Sequence, residues 1–245
     1  SCFYISTNEL FHSTIPFEKV IHIAALVNTS KEKENNLIDI NYNYTKQLID
    51  YLSKKDSFKQ FIFASTVSVY SSTLSTRIHE HSSTGIDISK YGSSKLYAEN
   101  YIKESLASYK IIRLSSIYGE GMNETSIIPN YVIDAIQNNR ITIWGNGQRK
   151  QNYIHVNDAA DLFCCALESK NNGVFLGTHH VEYSNLELAH IISKYSATEL
   201  CFENEDQTPS KTYDNNSTRD VFNWEPKIKF EEGIKNYLQW KRKQF

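Results

Sequence analysis

The stretch Phe61-Ile62-Phe63-Ala64-Ser65-Thr66 gives the clearest indication of the fold, because four apolar residues are followed directly by two residues with hydroxyl groups. Short apolar runs rich in β-branched and aromatic residues are typical of strands buried on both faces of a sheet. Two comparable runs flank the strand at 61–65, one at residues 20–25 and one at residues 111–114. The sequence therefore predicts three buried strands, and the central one ends in polar groups.

Helical periodicity fills much of the chain between these strands. Apolar positions recur at helical spacing in residues 33–52 and 89–109, whereas the Ser-, Thr- and His-rich residues 71–89 predict a long surface loop. Alternating strands and helices predict a parallel sheet with helices on its faces. Ligands of such sheets bind beyond the carboxyl ends of the strands, so one neighbourhood is expected to hold four residues. These are Ala25, Ser65, Thr66 and Ser115.

The C-terminal half has a looser pattern of helices and strands. A strand at residues 153–156 is expected to lead into a helix that Asn157 or Asp158 caps. The expected helices are 127–138, 159–167, 186–195 and 230–240, and the other expected strand is 141–144. The whole pattern predicts an α/β protein.

Composition excludes several classes of function. The chain has 245 residues, 40% apolar and 22% charged, as in a globular protein. Its 26 basic and 28 acidic residues give a net charge of −2, so no positive field is available for nucleic acid or an acidic membrane. Four cysteines without a CxxC pair and the lack of a signal-peptide pattern predict a cytoplasmic protein with free thiols. Without an HExxH motif we expect no metal site.

One pair of residues has the spacing needed for proton transfer. Tyr91 and Lys95 are four residues apart and share a face of the predicted helix. The pKa of a free tyrosine is near 10, but an ammonium about 4 Å away favours the phenolate by roughly 4 kcal/mol, or about three pKa units. We therefore expect Tyr91 to exchange a proton with an alcohol near neutral pH, while Ser65 or Thr66 holds the same oxygen.

The spacing by itself is a weak signal, because the chain contains four such pairs. They are Tyr42/Lys46, Tyr51/Lys55, Tyr91/Lys95 and Tyr237/Lys241. For an arbitrary copy, a solvated helix face is the favoured interpretation. Context selects Tyr91/Lys95, since this pair alone follows the strand that ends in Ser65-Thr66 and precedes the strand at 111–114.

Further segments extend this pattern over nearly the whole chain. In chain order they are Val20-Ile21-His22-Ile23-Ala24-Ala25, Asn41 with Thr45, Phe63-Ala64-Ser65-Thr66-Val67-Ser68-Val69-Tyr70, Tyr91-Gly92-Ser93-Ser94-Lys95 with Glu99, Arg113-Leu114-Ser115-Ser116-Ile117-Tyr118-Gly119, Gly145-Asn146-Gly147 through Ile154-His155-Val156-Asn157-Asp158, and Phe222-Asn223-Trp224-Glu225-Pro226. Together they resemble the NAD-dependent epimerase/dehydratase family, the extended short-chain dehydrogenases/reductases that act on nucleotide sugars.

The resemblance implies a Rossmann-like doubly wound parallel sheet with a smaller C-terminal substrate lobe. Residues 1–118 would form a partial cofactor domain, and residues 119–245 would form mainly the substrate-binding lobe, with 151–180 returning to the main sheet. It also implies NAD or NADP as cofactor, a nucleotide sugar as substrate, and a homodimer through helices 33–52 and 89–109.

Site residues follow from the resemblance position by position. Tyr91 would be the catalytic acid or base, Lys95 would lower its pKa and hold the nicotinamide ribose, and Thr66 would bind the reacting oxygen. The other implied cofactor-binding residues are Ala24, Ala25, Asn41, Ser65 and Ser115. The implied substrate-binding residues are Ser116, Arg149 and Gln151.

Two departures from the family pattern concern ligand binding. The family opens with a strand, a Gly-rich turn and a helix that cradle the dinucleotide pyrophosphate, whereas the first glycine here is Gly85. We therefore expect a fragment that lacks the N-terminal strands, or else a degenerate relative with weak cofactor binding. Where the family has Arg-Asp before a strand, this chain has Gln151-Asn152, and Arg149 or Lys150 is expected to take the place of the arginine.

The residues after Thr66 favour one subclass of reaction. The family's sugar 4,6-dehydratases carry Asp-Glu at this point, whereas this chain carries Val67-Ser68, so epimerisation or keto-sugar reduction is expected. Two alternatives stay open. One is a non-catalytic binding or regulatory protein on the same fold, which the missing Gly-rich loop favours. The other is a structural or assembly subunit.

Overall fold

The computed structural model describes residues 7–27, 36–70, 77–85 and 88–245. The chain forms two compact units. The first comprises Ser1–Ser71, Thr84–Ile112 and Lys170–Val174, and the second comprises Ser72–Ser83, Arg113–Ser169 and Phe175–Phe245. Both units are therefore built from segments that are far apart in the sequence.

Helices and strands alternate along much of the chain. The helices are α1 (Thr7–Leu10), α2 (Tyr44–Leu52), α3 (Lys90–Ser105), α4 (Ile127–Asn138), α5 (Val156–Glu168), α6 (Asn185–Ser196), α7 (Asn216–Phe222) and α8 (Phe230–Arg242). The strands are β1 (Lys19–His22), β2 (Gln60–Thr66), β3 (Arg77–Ile78), β4 (Tyr109–Leu114), β5 (Ser116–Tyr118), β6 (Arg140–Trp144), β7 (Lys150–His155), β8 (Gly173–Gly177), β9 (Glu182–Ser184), β10 (Glu199–Glu203) and β11 (Thr212–Tyr213). None of the helices in the described ranges is long and apolar enough to cross a membrane.

The main sheet has the strand order β1–β2–β4–β8. β1 and β2 pair in parallel, with Lys19 opposite Gln60 and His22 opposite Phe63. Every residue of β2 is buried, which explains why its apolar residues form a continuous run rather than an alternating one. In the first unit, α2 and α3 pack on this sheet through a core that includes Ile49, Phe61 and Ile102.

The second unit contains smaller sheets around its own core. β5 and β7 pair in parallel, β7 and β9 pair antiparallel, and β6 pairs in parallel with β10. Helices α4, α6 and α8 contribute buried side chains such as Val132, Ile192 and Leu238 to one cluster with Tyr118 and Ile143. The strands and helices of this unit lie close to their predicted positions.

Several boundaries differ from the predicted ones. β1 ends at His22, and four residues later the N–H and C=O of Leu26 bond to the side-chain amide of Asn41 rather than to a neighbouring strand. Helix α3 ends at Ser105 and Leu106 is extended, so Tyr109 begins β4 instead of ending the helix. Of the predicted helix 33–52, the described part contains a π-helical turn, Asp39–Asn43, followed by α2, and residues 33–35 lie outside the described ranges.

Two predictions of local structure need correction because distant residues decide them. The described part of the predicted loop 71–89 is mostly irregular, but it contains the two-residue strand β3, which pairs in parallel with β11 more than a hundred residues later. The cap of α5 is His155, whose Nδ1 accepts the N–H of Asn157 at 3.2 Å. Asp158 does not cap this helix. Its carboxylate accepts the backbone N–H groups of Lys227 and Ile228 at 3.0 and 3.1 Å.

Close packing of α8 on Tyr118 yields the first prediction. A Cβ at Gly233 would lie 2.3 Å from the Tyr118 hydroxyl oxygen. We expect Gly233→Ala to lower the free energy of unfolding by about 2 kcal/mol, because overpacking forces the ring or helix to move. Adding Tyr118→Phe removes the closest atom and should recover part of that loss, which urea unfolding of the two single variants and the double variant would measure. Additive effects would contradict this contact.

Candidate active site

The end of β2 carries a cluster of hydroxyl groups. The Ser65 Oγ donates to Glu99 Oε1 at 2.6 Å. Thr66 Oγ1 accepts the backbone N–H of Ser68 and donates to Ser68 Oγ, both at 3.1 Å, so it caps the short 3₁₀ turn Val67–Val69. Thr66 is buried and Ser68 is exposed. The solvent-facing hydroxyl of this pair therefore belongs to Ser68, which the sequence analysis did not select.

Helix α3 begins directly against this turn. Ser89 caps the helix by accepting the N–H of Gly92 at 3.0 Å. A Cβ at Gly92 would lie 2.4 Å from the carbonyl oxygen of Ser68, so only glycine allows the helix to approach this closely. The approach brings the first turn of α3, with Tyr91, beside the end of β2.

Lys95 lies one helical turn after Tyr91 and is almost completely buried. Its side chain is 1% exposed, its Nζ lies 4.0 Å from the centroid of the Phe63 ring, and the ammonium has no hydrogen-bond partner among the described residues. Burial lowers the pKa of Lys95 to about 7, although the charge of Glu99 opposes that shift. Buried polar groups of this kind are rare unless a ligand or water meets them.

Tyr91 differs from the sequence-based expectation in its electrostatics. The side chain is half-buried, and burial raises its pKa, whereas we expected the neighbouring ammonium to lower it towards neutrality. The physical reason is that burial disfavours the charged phenolate. Burial also disfavours the charged form of Lys95, so a lowered Tyr91 pKa requires Lys95 to stay protonated.

Asn41 joins three elements around the end of β1. Its Oδ1 accepts the N–H of Leu26 at 2.7 Å, and its Nδ2 donates to the Leu26 carbonyl at 2.9 Å and to Ser94 Oγ at 3.0 Å. The Ser94 hydroxyl in turn donates to the carbonyl of Tyr91 at 2.8 Å. Asn41 therefore holds the segment with Ala24 and Ala25, both exposed, against the helix of Tyr91.

His22 is a buried core group, as its strand position indicated. Its Nε2 lies 2.8 Å from Thr45 Oγ1, and the Thr45 hydroxyl donates to the Asn41 carbonyl. Because the hydroxyl proton of Thr45 is donated to the Asn41 carbonyl, the Thr45 oxygen accepts from His22, and the histidine proton is assigned to Nε2. Burial and the charge of Lys95 lower the pKa of His22 to about 4.

The second unit contains a cavity of about 620 Å³ that includes Arg149. The lining residues used below are Tyr131, Trp144, Arg149, Asn185 and Asp206. The Nε of Arg149 is buried and has no hydrogen-bond partner within residues 7–27, 36–70, 77–85 and 88–245, and its Nη1 lies 3.8 Å from the Asp206 carboxylate. Trp144 is 59% exposed. The cavity thus offers a cation with a free donor and an aromatic ring.

The remaining predicted ligand residues of the second unit lie in different settings. Gln151 donates from Nε2 to Asn185 Oδ1 at 2.8 Å, so it orients the side chain of Asn185, which lines the cavity. Ser116 is exposed at the start of β5. The Ser115 N–H donates to the Gly177 carbonyl at 3.1 Å, while its buried Oγ has no partner in the described chain.

Sequence reasoning missed Trp144, Asn185 and Asp206 as cavity residues. The position of Trp144, directly before the Gly145-Asn146-Gly147 turn, is a signal that could have been read, because a large aromatic residue at a strand end is often exposed. Asp206 gives no local signal. It reaches Arg149 because its segment packs on Gly145, where a Cβ would lie 2.9 Å from the Asp206 nitrogen.

Comparison with known proteins identifies the family. The model of the NAD dependent epimerase/dehydratase family matches residues 5–177. The chain belongs to this family. The resemblance expected from the sequence is thereby confirmed, as is the dependence of the family on NAD.

Curated relatives of this chain are named as epimerases, dehydratases and decarboxylases. The chain is 29% identical over 239 residues to a putative UDP-glucose 4-epimerase of Methanocaldococcus jannaschii, covering 91% of this chain and 76% of the relative. It is 27% identical over 256 residues to the dTDP-D-glucose 4,6-dehydratase of Bos taurus, covering 97% and 71%. Both relatives are named for reactions on nucleotide-linked sugars.

Solved structures confirm the fold class of the epimerase/dehydratase chain. The UDP-glucuronic acid 4-epimerase of Bacillus cereus in complex with NAD gives a TM-score of 0.84 at 20% identity, covering 98% of this chain and 78% of the other. The UDP-glucose 4-epimerase of Thermotoga maritima with UDP-glucose gives 0.81 at 22% identity, covering 93% and 78%. At this level of identity the likeness establishes the shared Rossmann-like fold.

The network around Asn41 yields a prediction on stability. Asn41→Ala removes three hydrogen bonds, one buried and two partly buried, and leaves the Leu26 backbone groups without this partner. We expect the free energy of unfolding to fall by about 3 kcal/mol and the Leu26 amide to exchange faster with solvent. Asn43→Ala is the matched control, since the Asn43 amide donates to the Asp39 side chain at the surface. Equal losses in the two variants would contradict the role of the network.

Burial of Lys95 yields a prediction on pH dependence. The pKa of Lys95 is about 7 in the folded chain and 10.5 as a free side chain, so between these values the unfolded state binds a proton that the folded state releases. Stability must rise with pH in that window, and the full cost of the buried charge is present below pH 7. We expect Lys95→Met to be more stable than the parent by on the order of 4 kcal/mol at pH 6, with the difference vanishing towards pH 10.

Urea unfolding of both proteins at pH 6, 8 and 10 measures this difference. Lys103→Met serves as control, because the Lys103 side chain is 32% exposed. Its stability relative to the parent should show little change with pH. A constant difference between Lys95→Met and the parent would refute the lowered pKa.

Proposed function

We propose that the chain contains the catalytic groups for NAD-dependent epimerisation, or keto reduction, of a nucleotide-linked sugar. The observation that carries this proposal is the Lys95 ammonium, which lies buried one turn from Tyr91 with no hydrogen-bond partner in the described part of the chain. An unpaired buried cation costs stability unless a bound group uses it, and such costs are characteristic of functional sites.

The residues around Lys95 fit the nicotinamide-ribose end of NAD. The free donors of Lys95 Nζ suit ribose hydroxyl groups, and the exposed Ala24 and Ala25 offer small apolar surfaces for a ring. When bound, NAD accepts a hydride, and its oxidised ring carries a positive charge. The family assignment and the neighbours solved with NAD support this choice of cofactor.

Tyr91 acts as the acid/base group in this proposal. As a phenolate it takes the proton of a sugar hydroxyl while hydride leaves the same carbon, so the product is a carbonyl. Return of both to the other face of that carbon would complete an epimerisation, with no net redox change. A keto-sugar reduction would be this return step alone, with the hydride supplied by NADH and the proton by Tyr91. Since burial raises the pKa of Tyr91, the phenolate needs the charged form of Lys95 beside it. The hydroxyls of Thr66 and Ser68 orient the reacting oxygen.

The cavity of the second unit, taken by itself, suits a nucleotide. Its volume lies within the range of ligand pockets, Arg149 Nε is available for a phosphate oxygen, and Trp144 offers a face for a base. Names of relatives that act on UDP- and dTDP-sugars support this class. Val67 and Ser68, which lack carboxylates, favour epimerisation or reduction over dehydration.

A homodimer through α2 and α3 belongs to the same proposal. Tyr97 on α3 is 52% exposed, and Ile40 in the turn before α2 is 43% exposed. Such apolar side chains on neighbouring helices suit burial against a second copy.

Tyr91→Phe in the full-length natural protein tests the function. We expect conversion of UDP-sugars in the presence of NAD to fall by about a thousandfold, because the acid/base group is lost while the ring that packs is kept. Binding of NAD, NADP and UDP, measured by calorimetry, should stay within about threefold of the parent.

Tyr97→Phe is the control, since it changes an exposed tyrosine of the same helix. Full turnover by Tyr91→Phe would overturn the assignment of the acid/base group. A parent protein that neither converts sugars nor binds NAD would support the non-catalytic alternative.

A further inference from the structure

Helix α3 buries a second charged residue one turn beyond Lys95. Glu99 is 0% exposed, and Lys95 is 1% exposed on the same helical face. A carboxylate removed from water needs hydrogen bonds or a cation to offset the loss of hydration. The groups that surround Glu99 therefore indicate the role of its negative charge.

The two oxygens of the Glu99 carboxylate face different partners. Oε1 accepts the Ser65 hydroxyl at 2.6 Å, and Ser65 directly precedes Thr66 at the end of β2. Oε2 lies 3.4 Å from the Nζ of Lys103, a longer contact with a partly exposed side chain. Glu99 thus ties the helix of Tyr91 and Lys95 to the strand of Thr66.

Among the described residues, few groups set the charge around Lys95. On α3, Tyr91 lies one turn before it and the Glu99 carboxylate acts on it one turn after, while the Phe63 ring and the His22 imidazole face it from the sheet side. Tyr91 is neutral when its pKa is raised, and His22 is neutral above its pKa of about 4. Glu99 is therefore the negative charge that favours the protonated form of Lys95 at neutral pH.

We propose that Glu99 is a positioning residue that keeps Lys95 protonated and, through Ser65, fixes the end of β2 beside it. The consequence for catalysis rests on the function proposed above, because it needs Lys95 to act on Tyr91. The consequence for the charge of Lys95 does not depend on any activity, so the two can fail separately.

Titration of Lys95 in Glu99→Gln tests the proposal directly. The amide keeps an acceptor for the Ser65 hydroxyl and removes only the charge, so a merely structural role predicts no change in the pKa of Lys95. We expect that pKa to fall by about one unit or more. Lysine labelled with ¹³C at Cε reports it by NMR, and loss of the signal in Lys95→Met assigns it.

Two further variants separate the charge from the hydrogen bond. Ser65→Ala removes the hydrogen bond but keeps the charge of Glu99, so the pKa of Lys95 should equal that of the parent. Lys103→Met removes the competing cation of Glu99 and should leave the pKa of Lys95 the same or higher. A pKa of Lys95 that is equal in Glu99→Gln and the parent would overturn the proposal.

A second variant covers the case in which Glu99→Gln does not fold. Glu99→Met also removes the charge while filling the same buried space, so it too should lower the pKa of Lys95. An unchanged pKa of Lys95 in Glu99→Met would overturn the proposal.

Activity provides the link to the proposed function. If the parent is active, the alkaline limb of its pH–rate profile should move to lower pH in Glu99→Gln, and in Lys103→Met it should stay in place or move to higher pH. If the parent shows no turnover while Glu99→Gln still lowers the pKa of Lys95, the proposed function fails and the role of Glu99 in the charge of Lys95 stands.

Discussion

The contact between the start of α3 and the turn after β2 controls the geometry of the first unit. The backbone at Gly92 comes so near the carbonyl of Ser68 that any side chain there would collide with it. Ser89 starts the helix at this level by binding the N–H of Gly92. The start of the helix fixes the positions of Tyr91 and Lys95. The absence of a side chain at Gly92 therefore allows the helix to lie beside the hydroxyl groups at the end of β2.

The first unit also buries two charged side chains on one face of α3. Lys95 and Glu99 lie inside the protein, and the aromatic ring of Phe63 gives Lys95 a weak substitute for water. Each group alone would destabilise the fold, yet their opposite charges and the Ser65 hydroxyl offset part of that cost. An apolar helix face would be more stable. The retained charges therefore point to chemistry, in agreement with membership of the NAD dependent epimerase/dehydratase family.

In the second unit, neighbouring residues in the sequence determine the strands and turns, whereas residues far apart in the sequence determine which side chains meet. The strand before Arg149 and the turn at Gly145 were predictable, since turn glycines and apolar runs act locally. The carboxylate beside Arg149 was not, because Asp206 is more than fifty residues away and reaches it only through packing on Gly145. The same reason explains β3, whose partner β11 lies near the other end of the chain.

Local pattern was sufficient for the order of the elements and for the choice of Tyr91 and Lys95. The buried run at 61–66, the helical spacing of the pair and the ordered segments of the family all lie in the linear sequence. The folded chain decided the electrostatics: it raised the pKa of Tyr91, lowered that of Lys95 and placed the charge of Glu99 against Ser65. Desolvation depends on every atom packed around a group, and those atoms come from strands and helices that no local window of sequence contains.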